Sequence, residues 1–170
     1  MLKLLGAALV MAGAGWCGFC AVGQLRRRVR VLEGLRASLV WLEEELTFRL
    51  SPLPSLLERL GREQPGAVGL FFKDVLTGLR QDPEDGLRRS WRQAMVRRLE
   101  LLKEEERQVL MEVGQTLGRY DVKAQGQALA RAARRLDAIR AQAGEDVRRL
   151  SRVYATLSLA AGAAVVLVLL

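Results

Sequence analysis

The 170-residue chain is half apolar and basic, with 27 lysines and arginines against 19 acids and a net charge of +8. It has no histidine, which removes the commonest general base and the commonest metal ligand. Its two cysteines, Cys17 and Cys20, lie in an apolar run, so we interpret them as packing residues and not as a redox pair. Helix-forming residues dominate and strand-like runs are missing, which predicts an all-α fold.

The first predicted element is a run of twenty uncharged residues from Leu4 to Gly23. As a helix it would be about 30 Å long, which matches the apolar core of a bilayer. Four basic residues follow it at once: Arg26, Arg27, Arg28 and Arg30. This charge after the run favours a signal anchor over a cleaved signal peptide, so we predict a transmembrane helix over 1–24.

Leucines then recur every three or four residues, which predicts that the first helix continues to about Leu50. It carries the acidic triplet Glu43, Glu44 and Glu45. Consecutive helical side chains point about 100° apart, so these carboxylates cannot converge on one metal ion. We interpret the triplet, like a second one at 104–106, as a solvated face; the alternative is an acidic docking patch for a basic partner.

The segment SPLPSLL breaks this helix. Ser51 is a candidate cap, and Pro52 and Pro54 can open a short helix that ends at Gly61. Further helices are predicted over about 67–79, from Asp82–Pro83 onwards, and over about 100–117. The second of these should turn four apolar residues inward: Leu87, Trp91, Met95 and Val96.

Gly114 and Gly118 are spaced to permit a close helix contact, and Gly118 should close the helix that carries them. Asp121 can then cap the last helix. An apolar stripe runs from Val122 to Tyr154 with no strong breaker, so we predict one final helix of nearly fifty residues.

The last eighteen residues, 153–170, are uncharged and predict a second transmembrane helix. Three basic residues precede it: Arg148, Arg149 and Arg152. Because both arginine clusters flank the centre of the chain, the positive-inside rule places a helical bundle over 25–152 in the cytoplasm. The clusters would anchor it to anionic lipid, at about 1 kcal/mol for each group.

The sequence contains no phosphate-binding loop and, without histidine, no catalytic triad, so we predict no enzyme activity, cofactor or metal site. Nucleic-acid binding rests on two basic sets: Arg88, Arg89 and Arg92, and Arg131, Arg134 and Arg135. Acids such as Asp137 interrupt them and no aromatic residue is placed for base stacking. A membrane-tethered nucleic-acid-binding protein and a secreted helical protein cleaved near Gly23 remain the alternatives.

Several stretches resemble the stage III sporulation protein AB family of endospore-forming bacteria. These are the N-terminal anchor, LRASLVWLEEELTFRLSPLPSLL, GQTLGRYDVKAQGQAL and a terminal hydrophobic helix after basic residues. Within the third stretch, Gln125 follows Asp121 by four residues, as in the family. Arg119 and Tyr120 depart from it, since smaller polar residues are expected there.

The resemblance implies a soluble domain similar to the cytoplasmic domain of the inner-membrane platform protein of type II secretion and type IV pilus machines. It implies a location in the mother-cell membrane around the forespore and a part in the channel between the two cells. The implied partners are the hexameric secretion-type ATPase of the same operon, its AA protein, and other channel components. We predict that the acidic triplet, with Pro52 and Pro54, forms the ATPase-binding surface.

Overall fold

The computed structural model describes residues 2–83, 86–118 and 121–169, and side chains for 22–83, 86–118, 121–154 and 156. Within these ranges every regular element is an α-helix, which confirms the predicted fold class. The helices are α1 (Leu2–Phe48), α2 (Leu53–Glu63), α3 (Gly66–Gln81), α4 (Gly86–Arg98), α5 (Glu104–Thr116) and α6 (Val122–Leu169).

The chain divides into two compact units. One comprises residues 1–27 and 141–170, and the other comprises residues 28–140. Over the part of the chain whose residues the structure describes, no helix combines the length and the apolarity needed to cross a membrane. Side chains of most of the predicted membrane segments, 1–24 and 153–170, lie outside the described set.

The core of the 28–140 unit is built on the leucine stripe of α1. Its four central members are completely buried: Leu32, Leu35, Leu39 and Leu42. Three aromatic residues of α3 and α4 form an edge-to-face cluster, in which the Phe71 ring centroid lies 5.0 Å from that of Phe72 and 4.9 Å from that of Trp91. Such pairs add specific ring contacts to the burial of large apolar surfaces.

Glycines set the packing of α2 against α3. Helix α2 does not end at Gly61, as the sequence analysis predicted, but continues to Glu63. A Cβ on Gly61 would come within 2.8 Å of Lys73 Cγ, and one on Gly69 within 2.1 Å of the Gln64 carbonyl oxygen. Gly61 is therefore a close-contact position inside the helix, and its lack of a side chain serves packing and not termination.

Asp82 lies between α3 and α4. Its N–H donates to the Gly78 carbonyl at 3.0 Å, which closes α3, and its carbonyl accepts the Gly86 N–H at 2.8 Å, the four-residue spacing of a helix start. The structure describes α4 from Gly86 onwards. Residues 84 and 85 lie outside the described set. The prediction that Val96 faces inward is wrong: its side chain is 58% exposed, since it lies about 100° around α4 from the buried Met95.

Helix α5 begins at Glu104 and not near residue 100. Leu99 and Leu102 are both buried in the connection that precedes it, and the Leu102 N–H donates to the Leu99 carbonyl at 3.1 Å. The Glu106 carboxylate accepts the Lys103 backbone N–H at 2.7 Å. This bond satisfies one of the free donors at the helix start and fixes the first turn there.

The predicted boundary between α5 and α6 is confirmed. Gly118 has a φ of +80°, a conformation that glycine adopts without steric cost, and its N–H donates to the side-chain oxygen of Gln125 at 3.2 Å. Asp121 accepts the Ala124 N–H at 3.0 Å and caps α6, which runs for 48 residues. Residues 119 and 120, where the chain departs from the family pattern, lie outside the described set.

Candidate partner-binding corner between α1 and α2

A sharp turn of the chain joins α1 to α2. Leu50 has a φ of +51°, which is uncommon for a residue with a Cβ, and the Ser51 N–H donates back to the Glu45 carbonyl at 3.3 Å. Pro52 stands at the N-cap of α2, where its carbonyl accepts the Ser55 N–H and hydroxyl at 3.1 and 2.7 Å. Pro54 lies in the first turn of α2, where a backbone N–H has no carbonyl partner within the helix, so the missing N–H of proline costs no hydrogen bond.

One member of the acidic triplet holds this turn together. Glu45 is buried, and its carboxylate accepts hydrogen bonds from Arg49 Nη1 at 2.9 Å and from Ser51 Oγ at 3.0 Å. Ser51 therefore bonds to α1. The prediction that Ser51 caps α2 is wrong, because its hydroxyl donates to Glu45. Because its carboxylate oxygens already have these partners inside the turn, Glu45 is a positioning residue and not part of an exposed acidic patch.

The turn displays apolar side chains to solvent. Phe48 is 82% exposed and Leu50 is 70% exposed, which makes them the most exposed large apolar residues with described side chains. Glu44, one helical turn before Phe48, is exposed on the same side of α1. Exposed apolar groups rimmed by polar residues are typical of protein-binding surfaces. We call the exposed set the α1–α2 corner: Glu44, Phe48, Leu50, Pro52 and Pro54.

Glu43 faces a different direction from the corner. It is half-buried and lines a shallow groove between α1 and α6 together with Val40, Ala130 and Arg134. The triplet therefore separates into three roles along one helical turn. Glu43 faces α6, Glu44 faces solvent at the corner, and Glu45 faces the interior.

A half-buried tryptophan flanks the corner on the α2 side. The Arg59 guanidinium lies 5.0 Å from the centroid of the Trp41 ring, a cation–π contact, and Arg59 Nε donates to Glu63 at 2.7 Å. The hydrogen bond to Glu63 raises the pKa of Arg59 above its ordinary value. The sequence analysis missed this contact, since nothing local to Trp41 or Arg59 indicates that the two helices pair there.

The predicted lipid-anchoring arginines do not share one environment. Three members of the first cluster are exposed: Arg26, Arg27 and Arg30. All three members of the later cluster are also exposed: Arg148, Arg149 and Arg152. Arg28 is buried and forms an ion pair with Glu106 of α5, whose two carboxylate oxygens lie 3.0 and 3.3 Å from Arg28 Nε. This contact makes Arg28 unavailable to a phospholipid headgroup, and it removes Glu106 from the predicted solvated face.

Gly114 and Gly118 make the close contacts that their spacing predicts. A Cβ on Gly114 would lie 2.4 Å from Cδ1 of the Trp91 ring, and one on Gly118 would lie 2.8 Å from a Leu87 methyl group. Trp91 Nε1 donates to the Leu110 carbonyl at 2.8 Å, which fixes the indole against α5. With Asp121 and Gln125, these glycines shape the boundary between α5 and α6.

The two basic sets do not form a continuous phosphate-tracking stripe. Arg89 lies 3.6 Å from Asp82, and Arg135 lies 3.1 Å from Glu112, so each has a carboxylate partner. Arg88, Arg92, Arg131 and Arg134 are exposed and make no ion pair with any residue that the structure describes. The four belong to two different helices, α4 and α6.

Comparison with known proteins agrees with the architecture. The family model for stage III sporulation protein AB matches residues 3–170. Stage III sporulation protein AB of Bacillus subtilis (strain 168) is 28% identical over 172 residues, covering all of both chains. A solved structure of a stage III sporulation protein AB superposes with a TM-score of 0.64 at 27% identity and covers 72% of this chain and 97% of that one. The chain therefore belongs to the stage III sporulation protein AB family.

Proposed function

We propose that the protein is a non-enzymatic membrane scaffold of the channel between mother cell and forespore. In this role it couples a cytoplasmic, secretion-type hexameric ATPase to the membrane complex during sporulation. The proposal assigns it no catalytic residue, no cofactor and no small-molecule substrate. The observation that carries it is the charge pattern of α1 and α6, each of which combines an uncharged terminal run with a cluster of arginines.

The membrane part of the proposal rests on sequence and charge. Residues 4–23 and 153–170 are uncharged and have the length of spanning helices. Exposed arginines stand where each run meets the rest of the chain: Arg26, Arg27, Arg30, Arg148, Arg149 and Arg152. Their positions support a bundle on the cytoplasmic side of the mother-cell membrane that surrounds the forespore.

Two measurements test this placement. An alkaline carbonate wash of membranes from sporulating cells should leave the full-length protein in the membrane fraction, because integral helices resist extraction that strips peripheral proteins. In vegetative cells made to express a variant without Cys17 and Cys20, cysteines introduced at the exposed positions Glu33 and Glu105 should be shielded from a membrane-impermeant maleimide until the cell membrane is permeabilised. Extraction by carbonate, or labelling in intact cells, would overturn the membrane assignment.

The docking part of the proposal concerns the α1–α2 corner. Its exposed surface combines the Glu44 carboxylate with the Phe48 ring and the Leu50 side chain, and the two prolines limit the motion of the chain around them. A complementary partner presents an apolar pocket rimmed by lysine or arginine. We propose that the partner is the ATPase of the same operon, its AA protein.

A pull-down of the ATPase with the full-length protein in detergent tests this surface. The variant Glu44→Arg should weaken binding by at least about tenfold, since a like charge then faces the basic rim, and Phe48→Ser should act in the same direction. Glu33→Arg is the matched control, because Glu33 is exposed on the same helix away from the corner and makes the same change in net charge. Equal binding by all three variants would exclude the corner as the docking site.

A further inference from the structure

A second exposed apolar side chain lies on α4. Val96 is 58% exposed, and after Phe48 and Leu50 it is the most exposed large apolar residue among the described side chains. Arg92 precedes it by one helical turn and Arg88 by two, so the three side chains lie along one side of α4. We call this set the α4 basic face: Arg88, Arg92 and Val96.

The α4 basic face carries positive charge that no carboxylate within the described part of the chain pairs with. The helix contains five arginines and no acid. Three of these have carboxylate partners, since Arg89 pairs with Asp82 and both Arg97 and Arg98 pair with Asp74. Arg88 and Arg92 are exposed and form no ion pair within the described part of the chain. The uncompensated charges therefore lie on the same side of the helix as Val96.

The α1–α2 corner is complementary to this face in both charge and apolarity. In the corner, the acid Glu44 precedes the apolar Phe48 by four residues, and on α4 the base Arg92 precedes the apolar Val96 by four. Residues four apart lie about 6 Å from each other on one helix face. Two such helices side by side, running in the same direction, can form the Glu44–Arg92 ion pair and the Phe48–Val96 contact at once.

We propose that the α4 basic face binds the α1–α2 corner of a second copy of this chain. The contact is heterologous, because two different surfaces meet in it. A row of joined copies therefore has an unoccupied corner at one end and an unoccupied α4 basic face at the other. A heterologous contact builds a ring where the rotation closes and a filament where it does not. The inference goes beyond the proposed function and does not depend on it. Because the corner is shared, a second copy and the ATPase exclude each other from one corner.

A charge-swap experiment on the full-length protein in a density-matched detergent tests the contact by sedimentation velocity. The wild-type protein should sediment as oligomers at high protein concentration and dissociate as the salt concentration rises, since exposed charges are screened. Glu44→Arg and Arg92→Glu should each weaken association by at least about tenfold, because each places like charges opposite one another. The double variant Glu44→Arg/Arg92→Glu should recover the wild-type association.

Recovery of association by the double variant distinguishes self-association from the binding of other ligands to these two faces. If the arginines bound nucleic acid or lipid, or if either variant were merely misfolded, the double variant would associate no better than the single ones. Glu33→Arg serves as the control, because Glu33 is exposed on α1 about three helical turns before Glu44, and it should leave association unchanged. A monomeric wild-type protein, or a double variant without recovery, overturns the proposal.

Binding of the ATPase provides an independent second measurement. Arg92→Glu leaves the corner intact, so it should bind the ATPase at least as well as the wild type, whereas Glu44→Arg should lose both interactions. If self-association fails while the corner still binds the ATPase, only the contact between copies is wrong. If Arg92→Glu disrupts oligomers and Glu44→Arg leaves ATPase binding unchanged, only the docking of the ATPase is wrong.

Discussion

Two runs of three glutamates, residues 43–45 and 104–106, have the same sequence and different roles. In each run the third residue is buried: Glu45 is 6% exposed and Glu106 is fully buried. Glu106 lies in the first turn of α5 and bonds across the core to Arg28 of α1. Glu45 lies in the last turn of α1, and its carboxylate accepts hydrogen bonds from residues that follow it, Arg49 and Ser51.

The difference follows from the position of each run in its helix. A carboxylate in the first turn meets free backbone N–H groups and the positive end of the helix dipole, so Glu106 accepts the Lys103 N–H as well as its ion pair. A carboxylate in the last turn meets carbonyl oxygens, which repel it. Glu45 is therefore stabilised by an arginine and a hydroxyl beyond the helix end. Identical residues thus join two helices in one region and shape a single turn in the other.

The largest expected effect comes from breaking the ion pair of α1 with α5. Glu106→Gln keeps an acceptor for the Lys103 N–H but leaves the Arg28 guanidinium buried without a counter-charge. It should lower the free energy of unfolding by about 3–5 kcal/mol, the usual result of removing one partner of a buried pair. Urea unfolding of the full-length protein, followed by circular dichroism, measures this. The double variant Arg28→Met/Glu106→Leu should recover most of the loss, and a single-variant loss below about 1 kcal/mol would contradict the interpretation.

A smaller effect is expected at the other triplet. Glu45→Ala removes the acceptor for the Ser51 hydroxyl and should lower the free energy of unfolding by about 1 kcal/mol, since the pairing with the mostly exposed Arg49 contributes little. Hydrogen exchange of the Ser51 amide should become faster in this variant. Glu45→Gln, which still accepts from Ser51, and the exposed Glu44→Ala are the controls. Equal protection of Ser51 in all three variants would show that Glu45 does not hold the turn.

The smallest effect on stability is expected at the turn itself. Leu50→Gly relieves a left-handed backbone conformation and removes a side chain that folding does not bury, so it should raise the free energy of unfolding by up to about 1 kcal/mol. The same variant should weaken ATPase binding at the corner. Leu50→Ala separates the two effects, because it loses the side chain and keeps the backbone strain. A Leu50→Gly protein less stable than Leu50→Ala would argue against strain at this residue.

Local patterns predict much of this fold. The leucine spacing of α1, the apolar stripe of α6 and the signals at Gly118 and Asp121 each depend on residues within a few turns of one another. Helix formation and capping are decided at that range, and these predictions are confirmed. Part of the candidate site could be predicted in the same way, because the two prolines and one member of the acidic triplet, Glu44, belong to the corner.

The amino-acid sequence alone determined the all-α fold, the two long helices and the positions of their charged and uncharged runs, because these follow from side-chain periodicity and backbone chemistry. Only the tertiary structure decided that Arg28 pairs with Glu106, 78 residues away, that Gly61 packs against α3, and that Glu45 turns inward while Phe48 stays exposed. The physical reason is that burial depends on which distant element covers a residue. Before another helix packs against one of them, two neighbouring glutamates or arginines on a helix are equally exposed to water. Burial by a distant helix is what makes them different.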